Sequence, residues 1–129
     1  MIILDTSFLV SFFNEEDALH YRAIDDMKNV EKEGQLTSDY VVFETATVLR
    51  YKANLNKASE FLEGMKMKNN LQIQRFDAAD FERISAIFNQ QKNPIGFIDA
   101  SVIYQALITG SKIATYDEDI LKEVKRISR

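Results

Sequence analysis

The sequence predicts an α/β domain in which a mainly parallel sheet is flanked by helices. Three observations predict it. Short runs at Met1–Leu4, Leu71–Phe76 and Lys112–Thr115 have the length and β-branched content of strands. Segments with apolar residues at helical spacing lie between them and are too long to be strands. Alternation of strand and helix favours parallel pairing, because a parallel crossover needs a long connection, usually a helix. The 129 residues show no linker, repeat or low-complexity tract, so a single domain over residues 1–129 is expected.

The elements follow in order. Ile2-Ile3-Leu4 reads as a buried strand with Asp5 at its carboxyl end. Thr6 to Asn14 suits a short helix with Phe8, Leu9, Phe12 and Phe13 on one face. Glu15, Glu16 and Asp17 suit a helix N-terminus, and a helix from Asp17 to Val30 would turn Leu19, Ala23, Met27 and Val30 inward. Gln35–Thr37 is short enough for either a strand or a connector. Ser38 caps a helix over Asp39–Lys52 that carries Val41, Val42, Thr45, Val48, Leu49 and, among them, Glu44. A helix over Lys57–Lys68 holds Phe61, Leu62 and Met65; Asn69-Asn70 turns the chain into the strand Leu71–Phe76.

Asp77 caps a helix over Ala78–Gln91 with Phe81, Ile84, Ile87 and Phe88 as its buried stripe. Asn93-Pro94-Ile95-Gly96 breaks the chain. Phe97–Ile108 is apolar on most sides, hence packed on most sides, and ends before Gly110. Lys112–Thr115 is the last strand of the sheet core. Ile120–Val124 makes a final helical turn or two, and Arg126-Ile127 suits an edge strand.

Composition removes several chemistries. The chain has no Cys, which excludes disulfides, thiolate metal sites and thiol catalysis. Its single His, His20, cannot build a multi-histidine metal site and is read as a helix surface residue. The apolar start lacks a basic n-region and a small-residue cleavage site, and Asp5 interrupts it. No run approaches the roughly 20 apolar residues of a membrane span. A cytoplasmic protein without a membrane contact is therefore expected. The net charge of −4, from 16 basic and 20 acidic residues, argues weakly against nonspecific nucleic-acid binding unless a cation neutralises a group of acids.

Most acids have ordinary explanations. Asp25, Asp26, Glu60, Glu63 and Glu82 fall on polar helix faces, and Asp39 and Asp77 at helix starts. Glu44 and Asp99 do not: each sits among apolar neighbours, with no basic residue three or four positions away. A carboxylate buried alone must protonate or find a partner. Asp5 and Asp117 each follow a strand, and parallel strands bring both to one sheet edge, where ligand sites form. Capping explains either one equally well alone; together the four acids suggest one site, with Asp119 as a fifth member or a cap. Clustered carboxylates repel, and a hard divalent cation such as Mg²⁺ or Mn²⁺ removes that penalty through oxygen ligands. Such a site suits phosphodiester hydrolysis. Thr6, Ser7 and Thr115 adjoin the acids and suit supporting hydrogen bonds or plain turn chemistry.

These residues resemble the PIN-domain ribonucleases, and most closely the VapC-type toxins of toxin–antitoxin pairs. The resemblance rests on Leu4-Asp5-Thr6-Ser7, Glu44 after Ser38, Ile98-Asp99-Ala100 and Ala114-Thr115-Tyr116-Asp117-Glu118-Asp119, and it spans the chain. It implies a PIN-like three-layer α/β/α fold and a Mg²⁺- or Mn²⁺-dependent endoribonuclease. Asp5, Glu44, Asp99 and Asp117 would be the catalytic acids, with Asp5, Asp99, Asp117 and Asp119 on the metal. It also implies an RNA substrate, a small antitoxin as partner, and a homodimer. The weak basic character departs from an RNA-binding protein: Arg50, Lys52, Lys57, Lys66 and Lys68 are the one evident group that could track a backbone. Two other readings remain at this point, a receiver-like Mg²⁺-binding signalling module and a catalytically silent interaction domain of the same fold.

Overall fold

The computed structural model describes residues 1–128. Its elements are β1 (Ile2–Leu4), α1 (Thr6–Phe13), α2 (His20–Glu33), β2 (Gln35–Ser38), α3 (Asp39–Lys52), α4 (Leu55–Met67), β3 (Leu71–Gln74), α5 (Ala78–Asn89), α6 (Phe97–Thr109), β4 (Lys112–Ala114) and α7 (Glu118–Ile127). The four strands form one sheet in the order β3-β2-β1-β4, and every pair is parallel. The α/β reading holds, and Gln35–Ser38 is a strand rather than a connector. The register sets Ile3 beside Leu36 on one side and Ile113 on the other, with Leu4 against Ala114.

This order positions the site. From β1 the chain moves outward through β2 to β3, then returns through α5 and α6 to β4 on the other side of β1. The direction of winding therefore reverses between β1 and β4. A crevice opens at the carboxyl ends of two strands that diverge in this way. Asp5 follows one of those strands and Thr115-Tyr116-Asp117 the other.

Two apolar clusters hold the layers. The larger joins β1 to α1, α2, α3 and α4 through residues such as Ile3, Leu4, Phe8, Leu9, Met27, Leu49 and Phe61, and takes Val102 and Ala106 from α6. The smaller joins α5, α6 and α7 through Ile84, Ile103, Tyr104 and Ile120. Helix α6 serves both, and Ala100 to Ala106 are all buried. Its one buried amide, Gln105, donates to the Thr37 carbonyl at 2.9 Å and to Gln74 Oε1 at 3.1 Å, which ties α6 to the sheet.

Several boundaries differ from the sequence reading, each for a local reason. Helix α2 starts at His20, not Asp17. Asn14 and Asp17 instead accept the Glu16 and Leu19 amides, the side-chain turns by which Asn and Asp compete with a helix. Helix α4 starts at Leu55 because Asn54 caps it, accepting from Lys57 N at 2.8 Å. Arg126-Ile127 is not an edge strand but the end of α7; Arg126 reaches back to Glu123 one turn earlier, and Ile127 packs on the smaller cluster. His20 is not a surface residue: it is buried, its Nδ1 2.9 Å from the Ser11 carbonyl. Among the described residues no helix is long and apolar enough to cross a membrane.

Candidate active site

The crevice predicted by the topology is a cleft of about 360 Å³ whose lining includes Asp5, Glu44, Asp99 and Asp117. Four segments distant in sequence thus bring their acids to one place. Thr6, Ser7, Val10, Ser11, Asp17, Leu19, Val48, Lys52 and Tyr116 complete the walls.

Asp5 occupies the N-cap position of α1, yet its side chain makes no capping bond. The capping explanation therefore fails for it. The residue is 1% exposed. Its Oδ2 accepts from Thr115 Oγ1 at 2.6 Å and from Ser7 Oγ at 2.9 Å. Those two hydroxyls in turn receive the amides of Asp117 and Tyr116, each at 3.0 Å. Ser7 and Thr115 thereby fasten Asp5 to the loop that carries Asp117. Asp5 Oδ1 is buried with no partner at all. Burial pushes the Asp5 carboxyl above its usual range, against the lowering effect of the Thr115 and Ser7 bonds.

Asp99 stands in the first turn of α6. Its Oδ2 accepts from Gly96 N at 2.8 Å. A Cβ at Gly96 would lie 3.4 Å from that oxygen, so the glycine leaves room for the bond. Burial pushes the Asp99 carboxyl up to about 6, and the nearby charges of Asp5, Asp117 and Glu44 push the same way. Glu44 is raised as well, first by burial and also by Asp5, with Thr6 opposing. The Thr6 hydroxyl is buried without a hydrogen-bond partner. Asp117 caps α7, accepting from Asp119 N at 2.9 Å.

Asp119 is not in the lining of the cleft; its amide serves as the donor to Asp117. Asp39 accepts from Tyr40 N and Phe76 N and is accounted for by that. Asp17 and Lys52 do line the cleft, though the sequence reading placed neither there. For Lys52 a signal was present: Glu44, Val48 and Lys52 are spaced by four along α3 and share its face. Asp17 had none, since its position depends on the turns before α2.

The donor set fits a hard divalent cation. Its acids offer carboxylate oxygens, one of them a buried oxygen without a partner, in a group whose mutual repulsion a cation would relieve. Among the described residues no three His, Cys, Asp or Glu side chains form a ready-made metal cluster. Asp5, Asp99 and Asp117 would hold the ion with water completing its shell, the usual habit of Mg²⁺.

Comparison with known proteins agrees with this architecture. No curated protein sequence matches the chain. Among solved structures it is similar to VapC20 of Mycobacterium tuberculosis, described as a Sarcin-Ricin loop cleaving toxin, with a TM-score of 0.82 and 21% identity over 95% of this chain and 94% of that one. It is similar to FitAcB from Neisseria gonorrhoeae, with a TM-score of 0.69 and 19% identity over 97% and 94% of the two chains. It is also similar to VapBC2 from Rickettsia felis, solved with a DNA fragment from their promoter, with a TM-score of 0.67 and 17% identity over 95% and 92%. These likenesses share the fold at low identity. The family model of the PIN domain matches residues 2–127, and the chain therefore belongs to the PIN domain family.

Proposed function

We propose that this chain is a Mg²⁺- or Mn²⁺-dependent endoribonuclease that hydrolyses RNA phosphodiester bonds, and that it is the toxin of a toxin–antitoxin pair. One observation carries the reading: four acids from four segments meet in one cleft, where burial first, and then the charges of the other three, push the Asp99 carboxyl up to about 6. When bound, a hard cation polarises the phosphodiester and activates a water. The protein's own groups do the rest. Asp5, Asp99 and Asp117 hold the ion. Glu44, raised by burial, is suited to accept the proton of the attacking water. Ser7 and Thr115 keep Asp5 in place. The likeness to FitAcB and VapBC2 supports an antitoxin partner; the homodimer is what the family resemblance implies, and exposed Phe43, Tyr51 and Leu55 on α3 and α4 supply apolar surface for protein contacts.

The receiver-like alternative loses ground to the register. Lys112 pairs with Ile2 at the amino end of β4 and approaches Glu33 at 3.9 Å, so it stands at the wrong end of the strand to serve Asp5.

Single-stranded RNA should be cut with Mg²⁺ or Mn²⁺ present, and excess chelator should abolish cleavage. No cleavage by clean protein with either metal would overturn the proposal. The basic group expected to follow the RNA is largely engaged elsewhere. Lys57 pairs with Glu15 and Glu60, Lys66 with Glu63 and Lys68 with Glu31, while Arg50 lies over the Tyr51 ring. Lys52 makes no ion pair among the described residues and is the cation in the cleft wall. Lys52→Ala should raise KM for RNA several-fold with kcat nearly constant, and lower the salt dependence of binding by about one counterion. An unchanged salt slope would take Lys52 off the RNA path.

A further inference from the structure

Glu123 lies outside the cleft and is 0% exposed. Its Oε1 accepts from Asn93 N at 2.8 Å, Arg126 Nε at 2.9 Å, Asn93 Nδ2 at 3.0 Å and Lys92 N at 3.1 Å. Its Oε2 accepts from Arg126 Nη2 at 2.8 Å. Arg126, with the Asn93 and Lys92 donors, draws the carboxyl down to about 2, so it stays ionised.

The turn it holds leads into α6. Lys92 and Asn93 give their amides to Glu123, and Pro94 has none to give. Ile95 gives its amide to Gln91 Oε1 at 2.8 Å, and Gly96 gives its own to Asp99 Oδ2 at 2.8 Å. Every amide of this turn therefore ends on a side chain, and no backbone ladder fixes its shape. The last of those side chains is Asp99. At the other end of the linkage, Glu123 sits on α7, less than two turns beyond Asp117 at that helix's N-cap. A buried ion pair is a weak source of stability by itself, because desolvation offsets the attraction.

We propose that Glu123 is a positioning residue that locks the helix beginning at Asp117 to the turn that launches Asp99, and so sets the spacing of two carboxylates of the cleft. The proposal rests on the metal-dependent reading of that cleft. Asp99 reaches the cleft from the first turn of α6, where a shift of the turn is not averaged out by the rest of the helix. Removing the clamp frees Lys92–Gly96 to move and takes Asp99 with it.

The test is Mn²⁺ binding, read without turnover from the electron paramagnetic resonance signal of free Mn²⁺. Glu123→Gln keeps the shape but sets an amide against the Arg126 guanidinium. It should weaken Mn²⁺ binding about tenfold, the low end of the loss seen when partners of metal ligands are removed. Cleavage at saturating Mn²⁺ should recover most of the wild-type rate. Met65→Ala, in the α4 packing, should lower Tm without moving the Mn²⁺ affinity, which separates position from stability. If Glu123→Gln does not fold, Asn93→Ala decides: it removes one bond of the clamp and should weaken Mn²⁺ binding about threefold, within the same outer-shell effect. Wild-type Mn²⁺ affinity in the folded variant overturns the proposal. Failure of wild-type protein to bind Mn²⁺ at all overturns the metal reading beneath it, a distinct result.

Discussion

Asp99→Asn is expected to slow metal-dependent RNA cleavage by at least about 10²-fold, the scale of losing one charge-stabilising group from an active site. Three features make this variant the sharpest probe of the cleft. The first is that the substitution keeps the fold. Asn offers a carbonyl oxygen in place of Oδ2, so the 2.8 Å bond from Gly96 N persists and α6 still starts at Phe97. The second is that Asp99 receives charge repulsion from Asp5, Asp117 and Glu44 together. Removing its charge therefore acts on the whole group. The third is that no basic side chain pairs with Asp99 among the described residues, so the change breaks no ion pair. Asp5→Asn should act in the same direction. Its Ser7 and Thr115 donors then face a neutral amide, so a small structural cost joins the loss of charge. Single-turnover cleavage of one RNA at saturating Mn²⁺ measures both. Equal rates for wild type and the two variants would remove these acids from the reaction.

Part of this site was legible in the sequence, and the division has physical causes. Asp99 and Glu44 could be singled out because helix periodicity alone places them on apolar faces without a neighbouring cation. That argument needs only local geometry. Asp5 and Asp117 needed one further step, the parallel sheet, which aligns strand ends at one edge. Lys52 shares a helix face with Glu44 and follows from the same periodicity. Asp17 does not, because its position depends on a turn in which Asn14 and Asp17 capture amides that a helix would otherwise use. Glu123 was equally hidden. By spacing it pairs with Arg126 on a helix surface; that it is buried, and that it grips a turn some thirty residues earlier, follows only from tertiary packing. The expected edge strand at Arg126-Ile127 failed for the same reason, since the pull of Glu123 on Arg126 extends α7 through both residues.

The stability of the protein should depend on metal and on Asp99 in opposite senses. Without metal, burial and repulsion raise the Asp99 carboxyl from 3.8 to about 6. Between those values the folded state holds a proton that the unfolded chain has released. Stability therefore falls as pH rises through that window, and the whole penalty is present above about pH 6. At pH 7.5 the metal-free Asp99→Asn variant escapes the penalty. Discounted for the partial exposure of Asp99, the gain is about 1 kcal/mol, or roughly 4 °C in Tm for a chain of this size. Added Mn²⁺ reverses the ranking. At about 100 times its Kd a cation bound only by the folded state adds about 2.7 kcal/mol, or roughly 10 °C, to the wild type. The variant, short of one ligand, gains little. Glu123 does not confuse the measurement, because its lowered carboxyl contributes stability that is complete above its ordinary 4.5 and is lost only as pH falls toward about 2. Thermal melts between pH 5 and 8, with and without Mn²⁺, thus isolate the cleft. The two melting temperatures should cross as metal is added: the variant is higher in chelator and the wild type in Mn²⁺. A variant that melts lower in chelator, or a wild type indifferent to Mn²⁺, would show that these acids are not held together in wait of a cation.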